Sequence, residues 1–323
     1  MKRTCKPMVM FRCRPLRKGQ AGVGLVELMV GLLLGLFLMA GIMQIYLGTK
    51  SSYRVTEGMS RLQENARYAV AAIERELNAA GYMGCLEMTP NQVTNTLGIT
   101  TGSYDFGVTV TGSEGASGAP DTLTVKRAVG RGSIAVTDPM ATQTSPIELD
   151  STDSDYAALQ QYQVLTLSDC SRAAVFMITN DPSSSGGTIQ HQTGVTSPIG
   201  ALNQGQSNSS TDLQHIFGAQ TGSVATVFQT QSSTFDISGG RLRLNNQELV
   251  EGVSDFQVEY GFSTGGTTRY VDAGSVGTNW DDVEAIRVSL TFNSVEPVTD
   301  DRQLINRTYQ TTFRLRNRTP DKS

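Results

Sequence analysis

Glu27 has the least ordinary setting of any residue here that could do chemistry. It stands five residues after Gly22, at the head of an apolar run from Leu28 to Thr49 that holds no charge until Lys50. A carboxylate placed that deep in hydrocarbon costs about 2.5–3.5 kcal/mol by the lower scales, so it calls for a cationic partner and reads as functional. Other chemistry is thinly supplied. His191 and His215 are the only histidines, too few for a usual metal cluster, and no nucleophile-histidine-acid set suggests itself around them. Asp150, Asp153 and Asp155 could attract calcium, but their spacing matches no complete loop and fits a solvated acidic turn better. Trp280, beside Asp281 and Asp282, reads as a core aromatic introducing the strand from Val283 to Phe292, with a contact residue as the alternative. There is no P-loop and no Gly-x-Ser-x-Gly elbow. The expectation is a protein with no catalytic residue, no metal site and no cofactor.

The element that positions Glu27 is the apolar run itself. At 1.5 Å of rise per residue, about 22 residues span the roughly 30 Å of a bilayer's hydrocarbon core. The preceding segment carries Lys2, Arg3, Lys6, Arg12, Arg14, Arg17 and Lys18 and no acid, the charge bias of a cytoplasmic flank. A cleaved secretory signal is disfavoured, because the run is long and no small-residue cleavage site follows it. Gly31 and Gly35 have the spacing of a small-residue packing face between membrane helices; local loosening of the helix at its glycines is the other reading. Beyond Lys50 the helical pattern continues. Met59, Leu62, Ala66, Ala69, Ile73 and Leu77 form one apolar stripe, Arg61, Glu64, Arg67, Glu74 and Arg75 lie off it, and Gly81 and Gly84 end it.

The chain beyond the helix reads as an exported head of about 240 residues, enough for a proper core. The net charge of −4 includes seven basic residues before Gly22, so the remainder is distinctly acidic, which excludes nucleic-acid binding through a basic patch. Thirty-three glycines and long Ser/Thr/Gln/Asn stretches fit short strands joined by long loops. Strands are expected at Thr122 to Ala128, Ser133 to Thr137, Gln163 to Leu167, Ala173 to Thr179, Val224 to Thr230, Arg241 to Leu244, Val253 to Tyr260, Val283 to Phe292 and Arg307 to Leu315. The last two should be antiparallel neighbours. Pro182 to Asp212 is expected to be a long loop or partly disordered insertion. Cys5 and Cys13 lie before Gly22; Cys85 and Cys170 would face an oxidising compartment, which favours a disulfide over two buried thiols.

Glycine, four residues and glutamate at the head of a membrane helix resembles the type IV prepilin motif, with Val23 and Gly24 departing from the commonest residues. The resemblance implies that a prepilin peptidase cuts after Gly22, that Val23 becomes the N-methylated first residue, and that Glu27 is the fifth and serves assembly. Further runs resemble the PilW family of minor type IV pilins. These are Ser52-Tyr53-Arg54 through Arg67-Tyr68-Ala69, Ala80-Gly81-Tyr82-Met83-Gly84-Cys85, Ser168-Asp169-Cys170, Glu248-Leu249-Val250-Glu251-Gly252-Val253, Val258-Glu259-Tyr260-Gly261, Ala285-Ile286-Arg287-Val288-Ser289-Leu290 and Phe313-Arg314-Leu315-Arg316-Asn317-Arg318. The fold class expected is α+β, a long transmembrane and amphipathic helix packed on a large antiparallel β-rich head. The expected order is leader 1–22, assembly helix 23–49, amphipathic extension 50–84, head 85–182, polar loop 183–212 and head 213–323. The implied function is priming pilus assembly near the tip. The implied partners are the peptidase, other minor pilins, the major pilin, the inner-membrane assembly machinery and, in addition, a tip adhesin. Two alternatives remain, a J-type pseudopilin of a type II secretion system and an adhesin anchored by a prepilin leader.

Overall fold

A computed structural model describes residues 24–86, 92–219, 224–264, 267–294, 297 and 303–318. The long helix α1 runs over Leu25–Asn78. The chain divides into two compact units, residues 1–54 and 55–323, so α1 contributes to both. In the second unit the expected stripe is buried from Leu62 on: Leu62, Ala66, Ala69, Ile73 and Leu77 are all covered, joined by Ala72 and Glu76, while Met59 at its start is half-buried. Gly81 and Gly84 then take φ of +70° and +75°, left-handed values that glycine adopts without a Cβ penalty, so the chain leaves the helix where the sequence indicates.

Two sheets make the head. The larger holds ten strands: β1 (Val93–Asn95), β2 (Val110–Ser113), β3 (Thr122–Asp138), β4 (Ile147–Leu149), β5 (Val164–Ser168), β6 (Ala173–Met177), β7 (Thr188–Ile189), β8 (Thr226–Ser238), β9 (Arg241–Leu244) and β10 (Gln247–Glu251). Its main path is β1-β6-β5-β8-β3-β4-β7. The smaller, β12-β11-β13-β14, takes β11 (Val253–Thr264), β12 (Thr267–Val271), β13 (Ala285–Asn293) and β14 (Asn306–Arg314). The expected pairing of the last two strands is present over nine residues, from Ala285 against Arg314 to Asn293 against Asn306. The change of sheet falls at Gly252.

Alternation builds the smaller sheet. In β11, Phe256, Val258 and Tyr260 are buried, and a bulge between Val253 and Asp255 shifts the phase so that Val253 is buried as well. These side chains share one core with the helix stripe and with Leu123, Val125 and Phe235 of the larger sheet. A second core lies on the larger sheet alone, around Leu165, Leu167, Phe176, Ile189 and Phe217. The strands at Thr122 to Ala128 and Ser133 to Thr137 are one strand, β3, interrupted by a register shift between Val129 and Ile134 against β8. One pair departs from the antiparallel expectation, since β1 lies parallel to β6.

The polar stretch from Pro182 to Asp212 is an ordered loop. It contributes β7, and its amides replace strand partners: Asn208 accepts from the Met177 N–H at 2.8 Å and donates to the Met177 carbonyl at 2.8 Å, while Gln206 does the same for Ile99 at 2.8 and 3.0 Å. Buried backbone groups need partners. Side-chain amides supply them here, so a stretch poor in apolar residues still holds one conformation.

Candidate assembly surface

In the first unit, the apolar side chains of α1 from Leu25 to Leu47 are exposed, at 52–77% of their area. The segment has a mean hydropathy of 2.4 over its most apolar window. Glu27 lies in the first turn, where the uncapped N–H groups favour a carboxylate. Leu28, Gly31, Leu32, Gly35, Leu36 and Met39 line one shallow groove along the helix. A Cβ built on Gly31, Gly35 or Gly41 would meet nothing within 4 Å. These glycines therefore relieve no crowding inside the chain, and α1 is continuous through all three. Gly22 and Val23 lie outside the described residues.

The second half of α1 is fastened as well as buried. Glu76, 3% exposed, accepts from Arg127 Nε of β3 at 3.3 Å and from Ser233 Oγ of β8 at 2.9 Å. Asn65 donates to the Glu251 carbonyl and Asn317 to the Ala80 carbonyl, so both ends of this segment are tied to the head. Beside Arg127, Lys126 is fully buried and donates to Thr111 Oγ1 at 3.1 Å. Burial pulls its amine down to about 8, partly offset by the nearby Asp105 charge.

Residues 218–322, which run from just before β8 almost to the end of the chain, match the family model of the type IV pilus-assembly protein W. The match is consistent with the PilW family and covers this region alone. No curated protein and no solved structure matches the chain. The PilW region supplies β8 to β14, and so Ser233, Val250, Val253 and Phe256 of the surface on which the helix stripe packs. A pilus-assembly family together with an apolar N-terminal helix marks a membrane-anchored, pilus-related protein.

Outside the PilW region, Cys85 and Cys170 form the expected disulfide, with Cα atoms 4.7 Å apart. It joins the turn after α1 to the tip of the β5–β6 hairpin, where Cys170 has φ of +68°. Asp169 holds that tip by accepting from the Ser171 and Arg172 N–H groups and the Ser171 hydroxyl. His215 Nε2 meets Asp169 Oδ2 at 2.7 Å and Ser171 Oγ at 3.3 Å. Burial pushes the Asp169 carboxyl up, but the hydrogen bonds from Ser171 and His215 outweigh it and leave it below the usual carboxylate range. A serine, a histidine and an acid thus do meet, yet both oxygens address the same ring nitrogen. A catalytic relay requires the acid and the nucleophile on opposite nitrogens, so this set is a hairpin clamp.

The remaining sequence candidates stay apart from chemistry. Asp150 accepts from the Thr152 N–H and hydroxyl, and Asp153 from the Asp155 N–H, which makes local turns; among the described residues no metal-binding cluster forms. His191 is buried against Phe176 with Nε2 at 3.0 Å from the Ser145 carbonyl, and burial lowers its pKa. Trp280 stacks edge-on against Tyr260 at 4.9 Å and packs on the shared core, as its position before Val283 implies. Sequence reasoning passed over Glu76, Arg127 and Lys126. The signal for Glu76 was available, since it falls three residues after Ile73 on the apolar face.

Proposed function

We propose that the protein is a minor type IV pilin that helps to prime pilus assembly from a position just below the tip subunit. The observation that carries this reading is the contrast along α1: one helix whose second half is covered by a PilW-type head and whose first half, headed by Glu27, has no cover of its own. An apolar helix face left bare needs a bilayer before assembly and neighbouring helices after it. In this reading the leader ends at Gly22, Val23 carries the new N-methylated amine, and the head stands in the periplasm until the chain leaves the inner membrane for the fibre.

Glu27 receives the amino terminus of an adjoining subunit at the same membrane depth, because a carboxylate among apolar helices is tolerated when a cation meets it. The pairing is directional, so a subunit that keeps the carboxylate is built to have a neighbour. A head of this bulk suits a place near the fibre's end better than a repeating lattice. The partners are the prepilin peptidase, the other minor pilins, the major pilin and the inner-membrane machinery. The PilW match favours this over a secretion pseudopilin. Glu27→Ala should leave export and leader removal intact while lowering co-purification with the other minor pilins and the number of pili. Unchanged co-purification with normal piliation would refute the assigned role of Glu27.

A further inference from the structure

Strand β14 ends the smaller sheet, and its free edge is the longest that the described residues present. The other ends and off-path strands are short: β1 has three residues, β7 two, β2 four, and β10 and β12 five each. Short edges are one of the ways proteins avoid unwanted strand pairing. Over its nine residues β14 carries charge only near its ends, at Arg307 and Arg314, and lacks the other usual protections. It contains no proline, its register against β13 runs without a bulge, and no charge points inward along its middle.

The orientation of its backbone is set by the bonds at its two ends. The Ile305 carbonyl accepts from Ser294 and the Leu315 N–H donates to the Glu284 carbonyl, so both residues address the β13 side. Backbone direction alternates along a strand. Residues 307, 309, 311 and 313 therefore face β13, and Asn306, Thr308, Gln310, Thr312 and Arg314 turn an N–H and a carbonyl each away from it. All five are exposed. On one face of the edge Phe313 is buried and Tyr309 half-buried against the shared core, and on the other Thr308, Gln310 and Thr312 are wet.

We propose that β14 is a docking edge that accepts a strand from the head of a neighbouring, different pilus subunit, extending the sheet across the interface. The edge specifies the chemistry of the incoming strand. One face must be apolar to continue the core past Phe313 and Tyr309, the other polar to lie beside the threonines, with acidic residues for Arg307 and Arg314, which are exposed and without an ion pair among the described residues. A second β14 does not meet that specification, because it brings the same two arginines and no acid.

This inference rests on the pilin reading, and the test separates the two. Amide hydrogen exchange is followed on the full-length mature chain, first alone in detergent and then in the assembly recovered from piliated cells. The amides of Thr308, Gln310 and Thr312 should exchange fast in the chain alone and about a hundredfold slower in the assembly. Thr312→Pro removes one outward donor and leaves the β13 ladder intact; it should keep the melting temperature of the head yet lose the protection and the partner, whereas Thr312→Val should behave as the parent. Fast exchange at these amides in an assembly that contains the chain overturns the inference and leaves the pilin reading standing. Protection in samples holding only copies of this chain overturns the assigned partner. Absence of the chain from every piliated preparation overturns the pilin reading itself.

Discussion

The two halves of α1 share the same helical geometry and end in opposite states. Between Val55 and Asn78 one apolar stripe is buried: Ala66, Ala69, Ile73 and Leu77 are at most 2% exposed, and the buried acid on that face, Glu76, is satisfied by Arg127 and Ser233. Between Leu25 and Arg54 the apolar residues are many, large and bare. A stripe one face wide is what a single packed domain can cover, whereas apolarity all round a helix demands a surround on every side. The difference teaches that the second half is completed by its own chain, whereas the first half is left bare by it, as a membrane anchor would be.

Equivalent truncations in the two halves should therefore have unequal effects on the folded head. Ile73→Ala removes a fully buried side chain and should lower unfolding stability by about 2–5 kcal/mol, measured by denaturant melts of the detergent-solubilised protein. Leu34→Ala should leave that transition where it was. Equal losses from both would break the comparison.

Lys126 sharpens it from the face of β3 opposite Leu123 and Val125, which pack with the helix stripe. Because burial depresses its amine to about 8, the unfolded chain binds more protons between pH 8 and the ordinary lysine value near 10.4. The cost of burying the charge is then fully present below pH 8 and fades as pH rises toward 10.4. Lys126→Met should stabilise the head at neutral pH by something on the order of 3 kcal/mol. That advantage should shrink toward zero across the same window, and a gap between variant and parent that is independent of pH would contradict the assignment.

Cys85→Ser opens the link between the turn after α1 and the β5–β6 hairpin. It should cost the head about 2–4 kcal/mol, seen as an earlier melt under non-reducing conditions, with no change in membrane retention, which belongs to the first half of the helix.

Much of this division was legible in the residues. The stripe from Leu62 to Leu77, its glycine stop, the strands at Arg241 to Leu244 and Val253 to Tyr260, and the closing antiparallel pair all obey local periodicity, which a sequence displays directly. What it hid depends on distant partners. Glu76 falls on the apolar face, but nothing near it in sequence shows that its partner is Arg127, 51 residues away. The loop from Pro182 to Asp212 looks loose by composition because Gln206 and Asn208 hold it through amide bonds that no hydropathy pattern records. β1 escapes notice because its parallel partner β6 lies about 80 residues on. At the candidate site the reverse holds: Glu27 and the apolar run are plain in sequence, while the structure of one chain leaves their partners to assembly.

Mass spectrometry of purified pili tests most directly whether this chain is processed as a pilin and built into the fibre. The expected result is a peptide that begins at N-methylated Val23 and continues through Gly24 and Leu25, together with peptides of the head from the same fibres. Finding instead the uncut chain with its first 22 residues, or pili free of this protein in cells that express it, would contradict both processing and incorporation.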